Sequence, residues 1–392
     1  MADGSENAAV RARTLGSISG ISAREWYALA NPAGVPQNPF VSHAFLLALE
    51  RSGSATEETG WTPRHIVIEE GGVAIGAAPL YLKAHSFGEY VFDHHWANAC
   101  ERAGMRYYPK LLSAPPFTPV PGPRLLAPKA EIRTALAHVI LELCERLGAS
   151  SAHVNFADAE TSALLEASGF LTRCGFQYHW FNRGYDCYQD FLDALSSRKR
   201  KALKRERKEA SAGMELRRLD GAAIGDRHWD AFWRFYQDTG GRKWGRPYLT
   251  REFFAEIATT MADRIMMVTA EHHGNPVAGA LNFIGGDALY GRYWGRTGDL
   301  PFLHFEVCYH QAIEFAIERG LSRVEAGAQG EHKIARGYEP VLTYSSHWIA
   351  ERGFRAAVAR NLAAERIEIS REMEAIRQLT PYRRSGETVE AN

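Results

Sequence analysis

The sequence predicts an α+β fold of two similar domains in tandem, and three observations carry that prediction. A pattern of three short strands separated by glycine turns occurs twice. Each copy is followed by an amphipathic helix and a further strand. The length, 392 residues, exceeds what one ordinary core fills. The expected division is 1–188 and 189–392.

The first copy, RHIVIEEGGVAIGAAPLYLKAHSFGEYVFDHHWA, covers residues 64–97, and the second, RIMMVTAEHHGNPVAGALNFIGGDALYGRYWG, covers 264–295. Apolar runs bounded by Gly, Asn and acidic residues read as hairpins. In both copies a third strand carries Tyr before Trp. The helix after the first copy spans 131–147, with Ile132, Leu136, Val139, Ile140 and Leu143 on one face. Its counterpart spans 303–318, with Phe305, Cys308, Ala312, Ile313, Ala316 and Ile317 apolar. SAHVNF and LSRVEAGA follow as strands. A proline-rich insertion, YYPKLLSAPPFTPVPGPR, separates the third strand from the helix in the first half, and a loop of that length reads as functional or a lid, or as a stiff surface loop.

A hydrophobic content of 45% and a charged content of 23% are those of a soluble globular protein. Zero formal net charge excludes a polycation that seeks nucleic acid or anionic lipid as a whole. No apolar run approaches the eighteen or so residues of a membrane span, and MADGSENAAVRAR has no leader-like apolar core. The five cysteines show no C-x-x-C spacing, so reduced thiols in the cytoplasm are expected, with no metal site.

Chemistry concentrates in a few places. In EAGAQGEHKIARGY, 325–338, Gln329, Glu331, His332 and Lys333 bring a base and carbonyl-polarising donors together, which amide formation at an ester or thioester needs. The same residues also suit a solvated turn with Glu331 paired to Lys333 or Arg336. RKRKALKRERK, 198–208, holds eight basic residues and one acid, and Ser196 or Ser197 is placed to cap it as a helix. Arg198, Lys199, Arg200 and Lys204 suit phosphates, or the run is simply an exposed charged helix. Tyr290, Arg292 and Trp294 alternate along one strand and so share a face, with His304 and Glu306 in the first turn of the helix that follows. That face lines a substrate pocket or packs beneath a helix. Trp96, Tyr108 and Lys110 in the first half, and Lys243 and Trp244 in GRKWGRPYL, complete the expected substrate-binding set. Neighbouring His94 and His95 point apart on a strand, which argues against a metal there.

The stretches NPFVSHAFLLALERSGS, HSFGEYVFDHHWA, FQYHWFNRGY, LSSRKRKALKRERKEA, LYGRYWG, FLHFEVCYHQAIEFAIERGL and EAGAQGEHKIARGYEP resemble the FemAB-like predicted N-acyltransferases, over about residues 20 to 385. The resemblance implies two GNAT-like domains with a cleft between them, and acyl or aminoacyl transfer to a small-molecule or peptide amine. It implies no tightly bound cofactor. The donor is aminoacyl-tRNA, as in Fem ligases, or acyl-coenzyme A, as in other GNAT enzymes. The GNAT pyrophosphate turn falls at GRTGDLPFLHFE, where Arg296 and Gly298 are present and Leu300-Pro301 replaces the second glycine. His332-Lys333 followed by Tyr338 is similar to the Phe-Lys pair and aromatic of Fem ligases, with a longer spacing. This implies Lys333 and Gln329 at the carbonyl oxygen and Glu331 or His332 as base. Fem ligases also carry a basic helix where 198–208 lies. A different class, a non-catalytic module recognising a peptide, glycan or RNA, remains open at this point.

Overall fold

The computed structural model describes residues 9–244 (backbone alone from 242), 247–298, 300–327 and 330–383. They form two compact units. The first takes the chain as far as Gly175, with Tyr248–Ile257 and Thr343–Ile367; the second takes Phe176–Pro247, Ala258–Leu342 and the chain from Glu368. The division expected after residue 188 is linear, whereas these units interleave. Strand Glu339–Ile349 shows why: its later residues pair antiparallel with Ser151–Ala157 of the first unit, Ile349 opposite Ser151.

In the first unit one sheet orders Trp61–Pro63, Tyr81–Lys83, Lys110–Ser113, Ser151–Ala157 and Glu339–Ile349, and a second sheet joins Val10–Leu15, His65–Glu70 and Val73–Ala78. The expected helix forms over Ala130–Arg146. Its Leu136, Ala137, Ile140 and Leu143 pack on Ile66, Ile68, Leu111 and Val154, and each such side chain contributes roughly 1.5–3 kcal/mol by leaving water.

Two expectations fail here. The third strand of the first copy does not form: the last strand of that copy is Tyr81–Lys83, before the second glycine turn, and a helix, His94–Arg102, takes the place of the later residues. Buried charge is the cause. Lys110, with no exposed surface, donates to Ser86 Oγ and Glu89 Oε2, both at 2.8 Å, and to Asp93, which also accepts from Tyr107 at 2.6 Å. Pulling Glu89 and Asp93 inward breaks the extended pattern. Nearby Lys83, its Nζ 3.4 Å from the centroid of the Trp61 ring, is pushed down to about 6 by burial. The proline-rich segment is not a lid either. Residues 113–120 are buried, and the fully buried Arg124 ties the segment down through Asn155 O at 2.9 Å and Val120 O at 2.6 Å.

The second unit orders Leu171–Phe181, Arg323–Glu325, Ala288–Arg296, Asn275–Ile284, Ile265–His272 and Met214–Asp220. The meander is the expected one. Ala288–Arg296 and Arg323–Glu325 run parallel, joined by the helix at 303–318. That helix is interrupted, with a π turn at Glu306–His310 before Gln311–Glu318. It packs with the basic helix Ser197–Ala210 on the face carrying Met266, Val268, Ala280, Leu289 and Val324. Helix Asp226–Trp244 lies so close to the strands that a Cβ on Gly295 would sit 2.3 Å from Phe235 O. No helix among the described residues is long and apolar enough to cross a membrane.

The first-unit charge cluster makes a stability prediction. Lys110→Met should cost about 3–5 kcal/mol in urea unfolding, because two buried carboxylates lose their cation. Adding Glu89→Gln and Asp93→Asn should recover most of that loss.

Candidate functional site

Strand Ala288–Arg296 has two different edges. Against Asn275–Ile284 it carries a bulge: Leu281 lies opposite Tyr293 and Asn282 opposite Gly291, with Arg292 the extra residue. Against Arg323–Glu325 the parallel pairing ends with Tyr290 opposite Glu325. Directly beyond that point opens a cavity of about 100 Å³. Its walls are Ala280–Asn282, Gly291–Trp294, His304, Cys308, Tyr309 and Ala326.

The bulge re-aims the strand. Arg292, Trp294 and Tyr293 all reach the cavity, so the alternation expected of Tyr290, Arg292 and Trp294 does not hold. Tyr290 is 2% exposed and is not part of the wall. On the helix side, the rings of Trp294 and His304 lie 4.3 Å apart and those of His304 and Tyr309 5.3 Å apart. Tyr309 Oη meets His332 Nε2 at 3.0 Å. Burial, with the charges of Arg336 and Lys333, holds the His332 imidazole below its usual range and therefore neutral near pH 7. Asn282, 1% exposed, donates to Met266 O at 3.3 Å and Ala280 O at 3.4 Å. Its Oδ1 has no hydrogen-bond partner among the described residues. A buried carbonyl oxygen left so costs on the order of 1–3 kcal/mol, which an N–H of a bound molecule would return.

Residues Glu331–Arg336 form a 3₁₀ turn. Lys333, 3% exposed, is directed inward and donates to Ala326 O at 2.6 Å and Gly327 O at 3.0 Å, holding the chain that forms one cavity wall. Burial pushes its ammonium down to about 8. Arg336 donates to His332 O at 2.6 Å and to Glu206. Glu206 also meets His310 Nε2 at 2.9 Å, and His310 Nδ1 meets Tyr188 Oη at 2.7 Å. One helical position on, Arg207 holds Glu306 and Glu314, each at 2.9 Å. The basic helix is thus bolted to the turn and to the interrupted helix by Glu206 and one of its arginines, Arg207.

The structure therefore brings His332, Lys333, Arg292, Trp294 and His304 to one cavity or its immediate support. Glu331 is exposed beside them. Glu306 is 1% exposed and is consumed by Arg207 and Gln311, so it is an anchor rather than a substrate contact. Arg198 and Lys204 are exposed, Lys199, Arg200 and Arg296 half-buried; Arg200 pairs with Asp193 at 3.0 Å. Ser196 sits at the cap of that helix without a side-chain cap bond. In the first unit Tyr108 lines a separate cavity of about 330 Å³ with Cys100, Tyr107, Ser150 and Phe354. Lys110 and Trp96 are not on its wall: both are buried, Lys110 in its carboxylate cluster and Trp96 against His347. Gln329 and the side chains of Lys243 and Trp244 lie outside the described residues.

Residues that the sequence did not place at the site include Asn282, Tyr309 and Glu206, while Arg336 entered only as a partner for Glu331. Of these Asn282 left a signal, as a polar residue inside the apolar run VAGALNFI. Replacing Lys333 with Met should cost about 3 kcal/mol in urea unfolding, since two charge-assisted hydrogen bonds are lost. Amide exchange should quicken across 326–338 and remain unchanged in the meander.

A family model described as peptidoglycan biosynthesis/recognition matches residues 17–384. No curated protein matches the chain. Among solved structures it is similar to FemX, at 14% identity and a TM-score of 0.54, covering 86% of this chain and 98% of that one. It is similar to L-PGS from Bacillus licheniformis, at 10% identity and a TM-score of 0.50, over 90% and 100% of the two chains. A tandem GNAT protein from the clavulanic acid pathway gives 13% identity and a TM-score of 0.48 over 88% and 99%. The fold is that of GNAT-like domains in tandem. With the match running over nearly all of its length, the chain belongs to the FemAB-like family.

Proposed function

We propose that the protein is an N-acyltransferase that moves an acyl or aminoacyl group from an activated donor to an amine, with the reacting carbonyl in the second unit's cavity. The supporting observation is Asn282 Oδ1, a buried acceptor without a donor among the described residues, on a residue in the wall of a cavity that opens where two parallel strands stop pairing. Both expected donors bring the missing N–H: the amides of a coenzyme A arm, or the α-amino group of an aminoacyl ester. Trp294, His304 and Tyr309 offer an apolar wall for the acyl chain. Tyr309, backed by neutral His332, is placed to give a proton to the leaving group. Lys333 holds the Ala326–Gly327 wall in position, while Arg198, Lys199 and Lys204 take the donor phosphates. The family description makes a cell-wall peptide amine the first acceptor to test.

Acetyl-coenzyme A and alanyl-tRNA, each offered with such a peptide, should divide the donor classes by direct product detection. Cys308→Trp fills the cavity and should lower transfer at least ~10²-fold with the circular dichroism spectrum unchanged; a fully active variant contradicts this site. If RNA carries the donor, neutralising Arg198, Lys199 and Lys204 should flatten the log-log salt dependence of binding by about 2–3. No transfer from either donor, with tight binding of RNA or peptide, favours a non-catalytic module.

A further inference from the structure

We infer that the first unit's cavity is a second ligand site, which takes a carboxylate carrying an aromatic body of about the size of an aromatic amino acid. The site stands apart from the second unit's cavity, and its occupation does not depend on acyl transfer there. Its volume is about 330 Å³. A cavity of about 150 Å³ holds benzene, so by proportion this one seats roughly 13 non-hydrogen atoms. That suits an aryl-alkyl acid and is less than a whole nucleotide needs.

The deep part of the wall is apolar. Ile349, Cys100 and Tyr107 are buried, Met105, Tyr108 and Phe354 are half-buried, and all six pack in one cluster. The rings of Tyr107 and Tyr108 lie 5.1 Å apart at 83°. Their hydroxyls are engaged with groups off the wall: Tyr107 Oη donates to Asp93 at 2.6 Å, and Tyr108 Oη meets Ser86 Oγ at 2.8 Å. A ligand therefore meets ring carbon rather than phenol oxygen, and another ring packs well there by edge or by face. Burial and the charge of Glu351 raise the Cys100 thiol, so it stays uncharged.

Hydrogen bonds hold these walls in place. Ser150 donates from its backbone N to Pro109 O at 2.9 Å and from Oγ to Tyr107 O, which ties the tyrosines to the start of strand Ser151–Ala157. Ala350 N donates to Ser150 O at 2.9 Å. Glu351 caps helix Arg352–Arg377, accepting from Gly353 N at 2.9 Å and from Phe354 N. Arg355 Nε donates to Ile349 O at 2.5 Å. The walls are thus pinned before a ligand arrives, which lowers the ordering cost of binding.

Charge selects the sign of the ligand. Arg106 and Glu351 are the charged side chains of the wall. Glu351 has both oxygens committed to the helix N–H groups. Arg106 is exposed, with no hydrogen bond or ion pair among the described residues. Its guanidinium presents a planar fork of donors that matches a carboxylate. A cation without an anion beside an apolar, aromatic space is complementary to an anion with an aromatic body. Ser150 Oγ, whose proton goes to Tyr107 O, keeps an acceptor lone pair for an N–H such as that of indole.

The test titrates the full-length protein, its methionine methyls labelled with carbon-13, with indole-3-propionate, tryptophan, indole and tryptamine. Met105 lines the cavity, and Met105→Leu identifies its signal. Indole-3-propionate should shift that signal with a Kd below about 1 mM. It should bind at least ~10-fold more tightly than indole or tryptamine. Arg106→Met, a change at an exposed residue, should abolish that preference while indole binds as before. Tryptophan bound as tightly as the propionate supports an amino acid as the source of the carboxylate; tryptophan bound more weakly supports a simple acid. No shift of the Met105 signal with the propionate at about 5 mM, tryptamine bound as tightly as the propionate, or an unchanged preference in Arg106→Met overturns the proposal.

Discussion

Parallel strands that stop pairing leave the backbone and side chains at the break to find other partners, and this one break organises the second unit. Ala288–Arg296 and Arg323–Glu325 share a register only as far as Tyr290 and Glu325. At the same level the bulge on the opposite edge inserts Arg292 and turns Arg292, Tyr293 and Trp294 toward the opening. The cavity and two buried oxygens with no hydrogen-bond partner among the described residues, Asn282 Oδ1 and Glu325 Oε2, all lie within a rung or two of that point. Energetically it is a poor way to finish a sheet, since two buried acceptors each forgo a bond worth about 1 kcal/mol or more. Such a cost is tolerated at Asn282, in the cavity wall, where a bound molecule returns it.

Around the break the walls are cross-braced by hydrogen bonds from buried cations. Lys333 holds the cavity wall by its carbonyls, Arg336 holds the turn by its own, and Glu206 holds Arg336. The basic helix therefore has two jobs on two faces. Leu203, Glu206 and Arg207 are directed inward as anchors, leaving Arg198, Lys201, Lys204, Arg205 and Lys208 in solvent. A polyanion held on the outer face would rest on an element tied through Glu206 and Arg336 to the Glu331–Arg336 turn.

Much of this was legible beforehand, for physical reasons. Glycine turns and apolar periodicity depend on neighbours in sequence, so the meander at 265–296, both crossover helices and the strands after them were readable. The basic run was readable as a helix, yet Glu206 and Arg207 find their partners at Arg336 and Glu306, and no local pattern reports such pairings. HSFGEYVFDHHWA reads as a strand because its apolar run YVF follows a glycine turn and ends at an acid; Lys110 overrides that pattern by binding Glu89 and Asp93. Along Ala288–Arg296 a bulge of one residue was enough to separate Tyr290 from Arg292 and Trp294. Glu325 heads the polar loop EAGAQGEHKIARGY. Its burial with one oxygen unpartnered among the described residues depends on where two strands stop pairing, which is a property of the tertiary fold.

The most direct measurement is a crystal structure of the protein with a stable donor analogue, an acyl-coenzyme A thioether or an amide-linked aminoacyl-RNA end. The reacting carbonyl should lie just beyond Tyr290 and Glu325, with an N–H of the analogue on Asn282 Oδ1. An analogue bound elsewhere, with Asn282 still unsatisfied, would contradict acyl transfer at this break in the sheet.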